Sequence, residues 1–292
     1  MLMVCAAAGG AMRRHAAVVS GPASGKIPQM LWLYDLNLWF LGSLVVTVSV
    51  AVTWTVCITA RRLNWLIRSE DQGPAGLMHQ FIGVLYAVAL ALLVVWVQGS
   101  YAQVEQAVVN EASAVSNLYR HLDGLEEPGR SRLQKLTRQY LDSVIQVEWP
   151  DQRNNKVSQP TWAIVDSLER ELARLWPASP HDQALIPELL TESTNLLDRR
   201  RERLFVGQQG IGATLWIVIV LGGIVTVGYA CAFEVHSLPT QLAVTGMMAA
   251  MFGLMAFLII AMDHPLWGDV SVTPDALMTV RDNINRVARD AR

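Results

Sequence analysis

Acidic and basic side chains are missing from four stretches of this chain. Leu36–Ala60, Phe81–Val104, Val206–Phe233 and Leu238–Met262 contain no Asp, Glu, Lys or Arg. That absence excludes ordinary water-facing helices, which carry charge on one face. Each stretch exceeds the roughly 20 residues that take a helix across a ~30 Å hydrocarbon core. Cysteine is scarce as well. Cys5, Cys57 and Cys231 are far apart, match no CxxC or metal-ligand spacing, and read as small apolar residues packed in a membrane. There is no excess of positive charge: the net charge is -2, which argues against nucleic acid as a partner. The histidines are scattered, and HExxH, GxSxG and Walker A patterns are all lacking. Gly207-Gln208-Gln209-Gly210 has no strand before it and no Lys after it. No catalytic residue, cofactor or enzymatic activity is therefore expected.

What is present has a simple layout. Two apolar runs lie on each side of a polar middle segment. The expected fold class is all-α: a polytopic membrane protein with four transmembrane helices, 2 + 2, around a helical cytosolic domain. The divisions are a disordered leader over 1–30, transmembrane helices one and two over 31–104, a helical cytoplasmic domain over 105–205, transmembrane helices three and four over 206–262, and a cytoplasmic tail with an amphipathic helix over 263–292. In the leader, apolar Met1–Cys5 precedes Arg13 and Arg14, the reverse of a secretory signal. An even number of spans on each side puts the N-terminus, the middle domain and the tail on one face. That face carries Lys26, Arg120, the cluster Arg199, Arg200, Arg201 and Arg203, and Arg281. Arg61, Arg62 and Arg68 lie on the other. The majority places the middle domain and both termini in the cytoplasm.

The spans are rich in small residues. Gly83, Ala87 and Ala91 recur every fourth position in span two; Gly222 and Thr226 do so in span three; Ala249 and Gly253 do so in span four. Such stripes let helices approach closely. Beside the first stripe runs Val84, Val88 and Leu92. If span two lines a pore, its constriction is apolar and gates by wetting rather than by a charge ring. The alternative is that both faces pack. Trp32, Trp39 and Trp65 fit interfacial anchors. No span holds a mid-membrane acid or base, which weighs against a proton-coupled transporter.

Span two has no helix breaker before Gly124 and Pro128, so it continues from Glu105 to about Leu122. An amphipathic helix follows over about Arg130–Val147, with Leu133, Leu136, Tyr140, Val144 and Val147 as its apolar stripe and Trp149-Pro150 as its stop. A third starts near Pro160, and a fourth runs from about His181 through Arg203. In the tail, Thr273-Pro274-Asp275 reads as a helix start, and the helix is expected to bury Leu277, Val280, Ile284 and Val287. Asp263 and Asp269 have two readings. They are oxygen ligands for a hard cation such as Ca²⁺, or acids that fix a turn below a membrane helix; the lack of EF-hand spacing favours the turn.

Several motifs keep a recognisable order: Asn110-Glu111-Ala112, Asn117-Leu118-Tyr119-Arg120, Val147-Glu148-Trp149-Pro150, Leu215-Trp216 with Gly222–Gly228, then Asp263-His264-Pro265 with Gly268-Asp269 and Val272-Thr273-Pro274. Together, over about residues 31–285, they resemble a bacterial bestrophin-like membrane family whose function is unknown. That family is distantly similar to the bestrophins, pentameric anion channels with the same 2 + 2 layout. The resemblance implies Glu111, Asn117, Tyr119, Arg120, Glu148, Trp149, Pro150, Asp263, Pro265, Gly268 and Asp269 as family positions. It also implies Val84, Val88 and Leu92 at a pore neck. Two departures stand out: the neck face lacks large aromatics, and no dense acidic cluster follows span four.

The expected function is an oligomeric ion channel in a bacterial inner membrane. It self-associates, as a pentamer by resemblance, and passes small inorganic ions. The alternatives are a membrane-anchored helical scaffold or sensor without conduction and, less favoured, a small-molecule transporter. The latter lacks the broken mid-membrane helix pair it would need.

Overall fold

Uninterrupted apolar sequence folds here into long helices, each ending where Gly, Pro or polar residues return. The computed structural model describes residues 37–65, 67, 72–153, 158–177, 179–233, 237–266 and 270–290. The expected leader, Cys5, Trp32, Arg68, Gly268 and Asp269 lie outside them. Helix α1, Leu38–Arg62, opens at Asn37, whose side chain accepts the Trp39 N–H at 3.0 Å. Helix α2, Gln72–Leu122, is a single 51-residue rod. At about 1.5 Å per residue it is more than twice as long as a hydrocarbon core is thick. A single crossing therefore takes up less than half of it.

The polar middle segment folds as α3 (Gly129–Ser143), α4 (Trp149–Arg153), α5 (Gln159–Ala173) and α6 (Pro180–Gly207). Ser179 caps α6 in a reciprocal pair with Asp182. Then come α7 (Ala213–Cys231), α8 (Leu238–Asp263) and, in the tail, α9 (Asp275–Asp290). Among the described residues there is no strand, only an isolated bridge between Ile67 and Phe233. Four helices are long and apolar enough to cross a membrane: α1, α2 from Gly73, α7 and α8.

Glycine sets the spacing in the apolar half. α1 packs on α8, where a Cβ added to Gly253 would meet the Val46 Cα at 3.0 Å. Ala249, one turn earlier, is buried in the same seam. Gly222 of α7 is covered by the Tyr86 ring of α2. Thr226 is buried, with its hydroxyl donated to the Gly222 carbonyl at 2.7 Å. In the polar half, α2 and α6 lie along each other, and α3, α5 and α9 close around them. Val104, Val108, Val115 and Leu118 of α2 meet Leu133 and Leu141, Val165 and Leu168, Leu189 and Leu196, and Leu277 and Ile284 in one core.

Four expectations change. Trp149-Pro150 does not stop the second domain helix. The chain widens into a π turn over Val144–Glu148 and continues as α4. The wider turn moves a carbonyl away from the proline ring that would otherwise strike it. The apolar run from Val206 is shared between two helices: Val206 and Gly207 finish α6, and the spanning helix starts at Ala213. The break at 208–212 lets the chain pass under the end of α8. Leu266 and His264 fill the space where a Cβ on Gly207 and on Gly210 would sit, each within 2.6 Å. Val287 is 57% exposed, not buried, so the core stripe of α9 ends at Ile284. Finally, Cys57 and Cys231 are not independent packing residues; they form a disulfide.

Candidate functional site

Over the apolar half of α2, one face has no partner among the described residues. The opposite face carries Tyr86, Leu90, Leu93, Val94 and Val97, which pack with Ile211, Ile219 and Ile259. This leaves Val84 58%, Val88 54% and Leu92 67% exposed, with Phe81 and Val95 in line. Of the small-residue stripe, Ala87 and Ala91 are exposed, and no described atom lies within 4 Å of a Cβ built on Gly83. The same face leaves the apolar region along Gln103, Gln106, Asn110, Ser113 and Asn117 and ends at Arg120. All but Arg120 are uncharged. Gln106 Nε2 donates to Asn110 Oδ1 at 2.9 Å, and Arg120 Nη2 donates to Asn117 Oδ1 at 2.7 Å. Arg120 is exposed. A groove of about 360 Å³ between α2 and α9 runs beside this end, with Ser113, Asn117, Arg120 and Thr279 in its walls. Tyr119 points the other way and is buried in the core.

The domain behind this face is held by buried charge. Arg203 donates from Nε to Glu111 and from Nη2 to Glu148 Oε1 at 2.5 Å, while Nη1 reaches Gln152. Arg200 Nη2 donates to Glu148 Oε2 at 2.5 Å, and its guanidinium lies over the Trp162 ring. The Tyr140 hydroxyl donates to Glu111 Oε1 at 2.5 Å, and Trp149 faces Arg203. Two guanidinium groups and two carboxylates balance. Each is at most 1% exposed, so each would be costly if left unpaired. Burial opposes the Glu148 charge, but Arg203 and Arg200 outweigh it and hold the carboxyl below its usual range. Burial and then the Glu111 charge push the Tyr140 hydroxyl well above the usual phenol range, so it stays a donor. This cluster ties α2, α3, the π turn, α4 and α6 together and fixes how α2 stands.

The sequence pointed to only part of this cluster. Glu111, Glu148 and Trp149 entered through motif order; Arg200, Arg203, Tyr140 and Gln152 were missed as partners. The signal was available. Leu189, Ser193, Leu196, Arg200, Arg203 and Gly207 form one buried stripe at three- and four-residue spacing, with two arginines in core positions. Read as a block, Arg199–Arg203 looks like a charge run; read by face, it divides. Arg199 and Arg201 pair at the surface with Glu202 and Asp198.

Asp263, at the end of α8, fixes the crossing between the domain and α7. It accepts the Ile211 N–H on one oxygen and the Trp216 indole N–H at 3.4 Å on the other, with His264 Nε2 at 3.7 Å. Both oxygens are thus engaged by nitrogen, the arrangement of an acid that orders a turn. Pro265 closes the same turn, its carbonyl accepting the Val272 N–H at 2.7 Å. Among the described residues, no group of three His, Cys, Asp or Glu gathers to hold a metal.

A family model described as Bestrophin-like domain matches residues 45–277. That span takes in most of α1, all of α2, the buried ion cluster and Asp263. No curated protein matches the chain.

Proposed function

The chain belongs to the bestrophin-like family, and from that premise we propose that it is an oligomeric membrane channel for small inorganic ions, with α2 lining the pore. The observation that carries this reading is the open face of α2. It is exposed from Phe81 through Val84, Val88 and Leu92 and continues past half-buried Asn110 and Asn117 to exposed Arg120, apolar where four helices can span a membrane and amide-lined beyond it. A scaffold needs no continuous face of this kind. Copies arranged around an axis, five by family resemblance, turn these faces inward. They form a dry neck at Val84, Val88 and Leu92, followed by a wall of Gln and Asn side chains that hydrate an ion without trapping it. The neck opens by wetting. The buried Glu111–Arg203–Glu148–Arg200 cluster keeps the emerging part of α2 upright. The helical domain and both termini face the cytoplasm of a bacterial inner membrane, a reading supported by the charge asymmetry of the flanks.

Single-particle imaging of the purified chain tests this arrangement. A ring with α2 nearest its axis is expected. A monomer or dimer without an axial opening would replace the channel with a membrane-anchored scaffold or sensor.

A further inference from the structure

The end of the bundle away from the helical domain is stitched by polar and covalent links. Cys57 and Cys231 form a disulfide with Cα atoms 4.8 Å apart, across 174 residues of sequence. Cys231 is the last residue of α7, and Cys57 lies little more than a turn before the end of α1 at Arg62. Around them Gln241 Nε2 donates to the Cys231 and Phe233 carbonyls at 3.2 and 3.1 Å. Arg61 Nη1 donates to Gln241 Oε1 at 3.2 Å. The Ile67 N–H donates to the Ala232 carbonyl at 2.7 Å, and Trp54 Nε1 donates to the Leu242 carbonyl at 2.9 Å. Apart from Trp54, about two turns back in α1, these lie at or just past the far ends of α1 and α7 and at the start of α8.

We propose that the Cys57–Cys231 bond is formed from the compartment opposite the helical domain, and that this compartment is oxidising and supplies a protein disulfide as oxidant. Disulfides persist in such compartments and are reduced in a cytosol. In the exchange, the thiolate of one cysteine attacks the oxidant's disulfide and releases one of its sulfurs. The second thiolate then attacks the mixed disulfide and releases the other. One S–S bond forms in the chain and one breaks in the oxidant. Two electrons and two protons pass to the oxidant, which leaves as a dithiol. Both sulfurs end fully buried, so the finished bond is sealed from soluble thiols until the bundle opens. Sidedness drawn from this bond needs no count of flank charges, two of which, Arg200 and Arg203, are buried in ion pairs. It does not depend on conduction.

The test uses the full chain carrying Cys5→Ser, with thiols trapped by acid in intact cells. After SDS and a maleimide that adds mass, no label without reductant and two labels after reductant are expected. Two labels without reductant would overturn the bond. Sidedness is then read by adding Leu63→Cys to Cys5→Ser, which leaves the disulfide in place; Leu63 is 57% exposed at the end of α1. A membrane-impermeant maleimide should label it in intact cells. Labelling only after lysis would overturn the assignment of the compartment. A silent channel recording would touch neither result.

Discussion

The Arg203 guanidinium sits on the Glu111 carboxylate, 92 positions away in the chain, and neither side chain is exposed. The contact joins α6 to the polar half of α2, and Glu148 shares the same guanidinium. Removing the cation leaves buried Glu111 without its counter-charge and Glu148 with Arg200 alone. Arg203→Met is expected to cost roughly 3–5 kcal/mol, the usual penalty for breaking a buried pair from one side. Thermal unfolding in mild detergent measures it. Glu111→Gln combined with Arg203→Met should lose less than the sum of the two single variants; simple additivity would mean the contact carries no coupling.

Acid should weaken the same cluster. The folded Glu148 carboxyl titrates below its ordinary value of 4.5. Its contribution is complete above that ordinary value and is lost as pH falls through it toward the lower folded value. The thermal midpoint should drop on this acid limb, and Glu148→Gln should flatten the drop while lowering stability at neutral pH. An acid limb unchanged in Glu148→Gln would assign the sensitivity to other groups.

The glycines separate into close contacts and open positions. Gly253 lies against the Val46 backbone, whereas no described atom lies within 4 Å of a Cβ on Gly228. Gly253→Val should cost about 1–3 kcal/mol by pushing α8 off α1. Gly228→Ala should be neutral or stabilise by roughly 0.5–1 kcal/mol through helix propensity. Midpoints from one preparation compare them directly, and equal effects would contradict the packing described.

Asp263 should behave as a turn-fixing acid. Asp263→Ala leaves the buried Ile211 N–H without its acceptor and should cost about 1–3 kcal/mol. Added Ca²⁺ at about millimolar concentration, enough for weak oxygen sites, should leave the wild-type midpoint unmoved. A rise in the midpoint that disappears in Asp263→Ala would make this residue a calcium ligand.

Fold class was legible because charge-free runs longer than a bilayer is thick have few other outcomes, and the unbroken path from Phe81 to Leu122 required one rod. The site was legible in part. Glu111 sits in the stripe Val104, Val108, Val115 and Leu118, where a carboxylate needs a buried partner. Its partner Arg203 was obscured by neighbours that face water, and nothing local in sequence joins residues that far apart. The Cys57–Cys231 bond was illegible for the same reason. Trp149-Pro150 misled because here the turn before the proline widens and the helix continues.

Current recording tests the channel reading most directly. The purified oligomer in planar bilayers, wild type beside Val88→Ser, separates a wetting neck from a sealed bundle. The account predicts ohmic current from the wild type and a severalfold rise in open-state current or open fraction in Val88→Ser, because a hydroxyl lowers the barrier to filling an apolar constriction. Silence from both proteins, as verified oligomers across salts and pH, would contradict it.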